Sequence, residues 1–196
     1  SVSGNHVDMW ASAVAWAGIS LQLGSIVNGS KNASVSKNIV VEKTNGNSTV
    51  GIGVSGDYAS NASIVDNILS GAKTGFGSGK TGIALSTCNN VVIADNLVDW
   101  LEPTIAQGTG IDIRGASVLL PNRRFAVTGN LVRADDLLAT YEIYIDDTTA
   151  QDGNLQANIL GDSVNVGQLW PIPVAGNWQY SLNTTNPNYG TNKFSM

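Results

Sequence analysis

Apolar residues recur along this chain at steps of two, and each run is interrupted at the same place by an asparagine. Five segments share the template apolar–x–apolar–x–x–Asn–x–apolar: Ala33/Val35/Asn38/Val40, Ala62/Ile64/Asn67/Leu69, Val91/Ile93/Asn96/Val98, Phe125/Val127/Asn130/Val132 and Gly153/Leu155/Asn158/Leu160. The asparagines are 29, 29, 34 and 28 residues apart. A step of two keeps successive apolar side chains on one face of a strand, and the three-residue step across Asn marks a bend where one residue leaves the pleat. A second pattern lies between the asparagines: Gly-Ile-Ser-Leu (18–21), Gly-Ile-Gly-Val (51–54), Gly-Ile-Ala-Leu (82–85), Gly-Ile-Asp-Ile (110–113) and Glu-Ile-Tyr-Ile (142–145), spaced by 33, 31, 28 and 32 residues. Each predicts a short strand with two inward residues around an outward one. No helical period survives for more than about two turns.

A repeat of roughly 30 residues built from strands predicts a solenoid whose stacked coils pair in parallel. An inward Asn at one bend in five coils then forms a ladder, its amide donating to one neighbour and accepting from the other. The competing reading makes these asparagines ordinary turn residues of a β-sandwich; their fixed offset to three apolar positions favours the ladder. The segments NVVIADNLV, NASIVDNIL and FAVTGNLV, paired with TGIAL and TGIDI, resemble the right-handed parallel β-helix superfamily. That resemblance covers about residues 1–162 and implies an all-β solenoid of about five to six coils. The superfamily includes pectate-lyase-like enzymes, alginate epimerases and lyases, and bacteriophage tailspikes, most of which act on or bind polysaccharide outside the cell. Residues 163–196 leave the pattern. Trp170, Trp178, Tyr180, Tyr189 and Phe194 and three prolines there are expected to form an irregular cap over the last coil, or an oligomer contact.

Composition narrows the classes. The 21 asparagines nearly equal the 22 glycines, although Asn is poor in helices and strand interiors, so it must serve at bends. A formal charge of −5 with ten dispersed basic residues disfavours nucleic acid and anionic membranes. The lone Cys88 and single His6 exclude an intrachain disulfide, a cysteine zinc site and a histidine cluster. The longest apolar stretch, Ala11 to Leu23, is too short and polar to span a bilayer and lacks the basic flank of a signal peptide. A chain beginning at Ser1 is expected to be a processed or excised piece.

Three places carry candidate chemistry. Gly75-Phe-Gly-Ser-Gly-Lys-Thr81 looks like a phosphate loop, but it lacks the first glycine and runs into a predicted strand, so a Gly-rich turn is expected. Asn5-His6-Val7-Asp8 resembles the N-H-x-D segment of epimerase-like β-helices. In a strand His6 and Asp8 share a face, as a base with its carboxylate, a sugar-binding pair, or a pair that only shapes the first coil. Aligning the second strand set stacks Ser20, Gly53, Ala84, Asp112 and Tyr144 in one outward row and Gln22, Ser55, Ser86, Arg114 and Asp146 in the next. Asp112 and Asp146 then lie diagonally about 8 Å apart, within the window of an inverting glycosidase pair. Tyr144 would stack on a sugar ring and Arg114 would hold a uronate carboxylate, with Trp100 at an adjoining turn. The plainer alternative is a cross-strand ion pair between Arg114 and Asp146. Segments 101–108 and 116–124 are expected to wall a groove beside them. No calcium motif is present, so no cofactor is expected.

The expectation is an extracellular, secreted or virion-associated polysaccharide-binding protein, acting as a lyase, epimerase or hydrolase if it turns its ligand over. The alternative is a non-catalytic tailspike or other receptor-binding segment, for which the resemblance implies a homotrimer.

Overall fold

The computed structural model describes residues 1–10, 16–23, 31–43, 49–56, 60–71, 80–99, 108–114, 122–133, 141–145, 150–156, 158–160, 169–170, 178–181 and 184–185. They form a right-handed parallel β-helix of three sheets. The first sheet stacks β1 (Val2–Ser3), β4 (Lys31–Ser36), β7 (Ser60–Val65), β10 (Asn89–Ala94), β13 (Asn122–Thr128), β16 (Ala150–Gln156) and β19 (Trp178–Ser181). The second stacks β2 (His6–Met9), β5 (Ile39–Glu42), β8 (Ile68–Ser70), β11 (Leu97–Asp99), β14 (Leu131–Arg133), β17 (Ile159–Leu160) and β20 (Thr184–Thr185). The third stacks β3 (Trp16–Gln22), β6 (Thr49–Ser55), β9 (Lys80–Ser86), β12 (Gly108–Arg114), β15 (Tyr141–Ile145) and β18 (Leu169–Trp170). Every pairing is parallel, and the chain visits the three sheets in turn, so rung one is β1–β3, rung two β4–β6, and so on. Strand β9 follows the Gly-rich segment, as the phosphate-loop comparison required it not to.

The apolar positions of the two sequence patterns are the core. Val35, Ile64, Ile93 and Val127 from the first sheet meet Val40, Leu69, Val98 and Val132 from the second and Ile52, Ile83, Ile111 and Ile143 from the third, all fully buried. Each position stacks on its equivalent one rung away, as in the register Val35↔Ile64, Ile93↔Ile64 and Ile93↔Val127. Parallel strands thus share one side-chain type per row, which fixes register. Glycine serves the core at equivalent positions of two rungs, Gly18 and Gly51. A Cβ on Gly51 would lie 2.5 Å from Leu69 Cδ2 and 2.7 Å from the Gly82 carbonyl oxygen, so only glycine admits that close approach of the third sheet to the second.

The corner between the first two sheets is two residues long in every described rung. Asn38, Asn67, Asn96, Asn130 and Asn158 are buried there. The amide Nδ2 of Asn38 donates to Asn67 Oδ1 (3.0 Å), Asn67 to Asn96 (2.9 Å), Asn96 to Asn130 (2.9 Å) and Asn130 to Asn158 (2.9 Å). The same Oδ1 atoms accept from the backbone N–H of the preceding ladder residue at 3.0–3.1 Å. The second amide proton reaches a strand carbonyl, as in Asn96 to Ile64 (2.9 Å). A sixth member, Asn5, opens the ladder by donating to Asn38 Oδ1 through both Nδ2 and its backbone N–H, each at 3.0 Å. The residues before Asn5, Asn38, Asn67, Asn96 and Asn130 are left-handed: Gly4 (φ 69°), Lys37 (56°), Asp66 (57°), Asp95 (55°) and Gly129 (66°). That conformation turns the chain from one sheet into the next, and the asparagine amide satisfies the backbone groups the turn takes out of the ladder.

The stack continues into the C-terminal segment assigned from sequence to the cap. Strands β18, β19 and β20 pair in register with the rung below, with Gly153↔Trp178 and Leu155↔Tyr180. Trp178 and Tyr180 thus take the two apolar template positions, which explains why two large aromatics sit two residues apart.

Replacing Asn96 by Ala removes four buried side-chain hydrogen bonds and leaves partners on two rungs unsatisfied, so a loss of about 3 kcal/mol or more is expected in urea unfolding. Asn61, half-buried and bonded to Asn32 (2.7 Å) and Asn90 (2.8 Å) in an outer row where water can replace both bonds, is the control: Asn61→Ala should cost less than about 0.5 kcal/mol. Gly51→Ala should lower the thermal midpoint by an amount equivalent to about 1–3 kcal/mol, because neither the Gly82 backbone nor the packed Leu69 can yield.

Candidate functional site

Outward residues of the third sheet also stack in rows. Ser20 pairs with Gly53, Gly53 with Ala84, Ala84 with Asp112, Asp112 with Tyr144, and Tyr144 with Trp170. The neighbouring row runs Gln22, Ser55, Ser86, Arg114. Where the stacked side chains are absent or small, the sheet surface is hollow. A groove of about 420 Å³ lies over β3, β6, β9 and β12, lined by Ser20, Gly53, Ala84, Ser55, Ser86 and Asp112 together with Ala17, Val50, Val54 and Leu85. It runs along the solenoid axis, and Asp112 closes its described end, only 9% exposed, one rung spacing of about 4.8 Å below the half-buried Tyr144. Gly53 sits in the floor with room above it. A Cβ there would meet Val50 Cγ1 at 3.6 Å and nothing closer.

Chain length also varies around this sheet. The first corner is constant, but the segments entering the third sheet are 10–15, 43–48, 71–79, 100–107 and 134–140, and those leaving it are 23–30, 56–59, 87–88, 115–121 and 146–149. Variation confined to the two edges of one sheet is the pattern expected where a solenoid carries its binding surface.

The structure places the sequence candidates as follows. Asp112 and Tyr144 are adjacent in one row, as the alignment predicted. Arg114 occupies the next row in register with Ser86; its side chain, and Asp146 and Trp100 entirely, lie outside the described residues. His6 and Asp8 belong to β2 in the second sheet on rung one, while Asp112 is in the third sheet on rung four, so the two candidate centres are not brought together. Sequence reasoning passed over Gly53, Ser55 and Ser86 as lining residues. Their signal was their small size at equivalent positions of successive rungs.

At β2 the structure adds Lys43. His6 Nε2 lies 3.0 Å from Asp8 Oδ1, and Lys43 Nζ lies 3.3 Å from the same oxygen. The register Asp8↔Val41 carries Lys43 just past the neighbouring strand, which a single-strand reading of His6 and Asp8 does not reveal. Slight desolvation pushes the Asp8 carboxyl up, but hydrogen bonds from His6 and Lys43 and the charges of both outweigh it and hold it below its ordinary 3.8. All three side chains are more than a third exposed, which suits a surface ion cluster rather than a sequestered base. Among the described residues, no three His, Cys, Asp or Glu side chains converge to hold a metal ion.

Because the folded-state carboxyl of Asp8 titrates below its unfolded value, its contribution to stability is present above pH 3.8 and is lost as pH falls through the lowered midpoint. Carboxyl NMR should show that midpoint below 3.8, and the double variant His6→Ala, Lys43→Ala should bring it back upward. A midpoint insensitive to the double substitution would remove the assigned cause.

Comparison with protein-family models, with curated proteins and with solved structures gives no match to this chain.

Proposed function

We propose that the protein binds a polysaccharide outside the cell, along the groove on the outer face of the third sheet. The observation that carries this reading is the row Ser20, Gly53, Ala84, small enough to leave a trough, that ends at a nearly buried Asp112 beside Tyr144. A carboxylate accepts hydrogen bonds from sugar hydroxyls, serine hydroxyls bond in either sense, and a tyrosine ring stacks on the apolar face of a pyranose. The rung spacing of about 4.8 Å is close to the length of one sugar unit, so a chain laid along the axis lies over the small residues of the early rungs and meets Asp112 and Tyr144 at the end.

Charge selects among glycans. The chain carries −5, and Asp112 is the only charged residue lining the groove among those described. A neutral or amine-bearing polymer is favoured over a polyuronate, which this field repels. The reading is one of binding: the partner that a hydrolytic carboxylate pair would require, Asp146, lies outside the described residues. A spike or adhesin that holds its glycan unchanged uses the same trough.

Glycan-array screening followed by calorimetry tests this. Gly53→Leu fills the trough from a position with room for a side chain, so affinity should fall at least about tenfold while the thermal midpoint is kept. Asp112→Asn and Tyr144→Ala should each weaken binding by a similar factor. Binding of a neutral or amino glycan that is indifferent to Gly53→Leu would move the site elsewhere; binding to polyuronates alone would overturn the charge argument.

A further inference from the structure

The outer face of the second sheet differs in kind from the other two. Ile39, Ile68, Leu97 and Leu131 stack in register on rungs two to five, outward-facing, with Ile39 39% and Ile68 44% exposed. They make a straight aliphatic stripe about 14 Å long, three rung spacings. Outward rows of the first sheet run Asn32, Asn61, Asn90 and Ser34, Ser63, Val92, Ala126, with one exposed aliphatic, Val92, and those of the third pass from small residues to Asp112 and Tyr144, so neither carries an unbroken aliphatic line. Strand formation alone does not require Ile or Leu at four solvent-facing positions in a line.

The flanks of the stripe carry charge that changes sign along the axis. Two residues before the stripe, at the left-handed corner, stand Lys37, Asp66 and Asp95 on rungs two, three and four. Two residues after it stand Val41, Ser70 and Asp99 on the same rungs, with the exposed Lys43 beyond Val41. On the near flank the charge therefore passes from Lys37 on rung two to Asp66 and Asp95 on rungs three and four, while on the far flank Lys43 is tied to Asp8 and Asp99 lies in register with Arg133 of rung five.

We propose that this face pairs with the same face of a second copy of the chain, the two solenoids running antiparallel about a two-fold axis through Ile68. A second copy has the same rung spacing, so its side chains stay in step over rungs two to four, which an unrelated surface would not achieve. A parallel arrangement sets each rung against its own kind and offers Lys37 no aspartate of the near flank, while bringing Asp95 toward the flank that carries Asp99. The antiparallel arrangement sets rung two of one copy against rung four of the other. Ile39 then meets Leu97, Ile68 meets its symmetry mate, Lys37 meets Asp95, and Leu131 overhangs toward the His6 position of rung one, each heterologous contact occurring twice. The one like-charge meeting is Asp66 with its mate, at an exposed rim where salt screens it. An overlap of three aliphatic rungs on a narrow sheet falls short of the roughly 800 Å² per partner of a standard stable interface, so the dimer is concentration-dependent.

Cysteine cross-linking of the full chain tests both the pairing and its direction, against a background in which the native Cys88 is buried. Ile68→Cys should form a covalent dimer with a short bis-maleimide, because facing sheets stand about 10 Å apart, beyond the reach of a disulfide. Ile39→Cys and Leu97→Cys should each stay monomeric alone and cross-link to each other when mixed. Sedimentation should show a monomer–dimer equilibrium that Lys37→Asp weakens on the order of tenfold and that adding Asp95→Lys restores. Position 37 accepts Asp without strain of a new kind, since Asp66 and Asp95 occupy the equivalent left-handed site. Monomer at every concentration, a trimer, or self-cross-linking of Ile39→Cys alone would overturn the proposal.

Discussion

The hydrogen bond from each ladder asparagine to the next is the interaction on which the coil depends. A parallel solenoid must turn its chain sharply between sheets, and every turn takes backbone N–H and C=O groups out of the regular ladder. Here the turn is compressed to a left-handed residue followed by Asn. The Oδ1 atom takes the amide proton of the preceding rung's asparagine, while Nδ2 reaches a strand carbonyl and the next Oδ1. Buried polar groups are stabilising only when fully matched, and this column matches them within itself. Because the corner is always two residues, consecutive strands of the first and second sheets keep one phase, and the aliphatic rows of the core follow from that phase.

Constancy at one corner frees the other two. The first and second sheets are locked to each other by the ladder, whereas the segments on either side of the third sheet differ widely in length. The groove, with its row of Ser20, Gly53, Ala84 and Asp112, lies on that third sheet. The architecture thus separates a part that must repeat, because its amides bond rung to rung, from a part that is free to differ, because only its inward residues are constrained. Function placed on the third sheet does not compete with the ladder for sequence.

How much of this was legible in the chain depended on whether a residue's identity or its neighbourhood carried the information. The ladder was legible because only Asn offers a donor and an acceptor in one short side chain, and it recurs at a fixed offset. Asn5 escaped because its copy of the template is truncated at Val2. The rows of the third sheet were legible from period-two alternation, and the pairing of Asp112 with Tyr144 followed from them. The depth of the groove was not, because a trough consists of side chains that are missing. Lys43 beside Asp8 was hidden for a related reason: the two meet across rungs. The aliphatic stripe was hidden in the template's own unspecified position, the residue directly after each ladder asparagine.

The two asparagine columns also have a sense. In the buried one every Nδ2 points toward the following rung and every Oδ1 toward the preceding one, over five links from Asn5 to Asn158. The exposed column runs the other way, with Asn90 donating to Asn61 and Asn61 to Asn32. Aligned amides add as head-to-tail dipoles, as peptide units do in a helix. Strands contribute little net dipole of their own, so the longer inner column sets the balance. The barrel of the solenoid is therefore an electrically polar rod, partial negative charge gathered toward its first rung and partial positive charge toward its last, with the shorter outer column partly cancelling the field over the rungs where both are present.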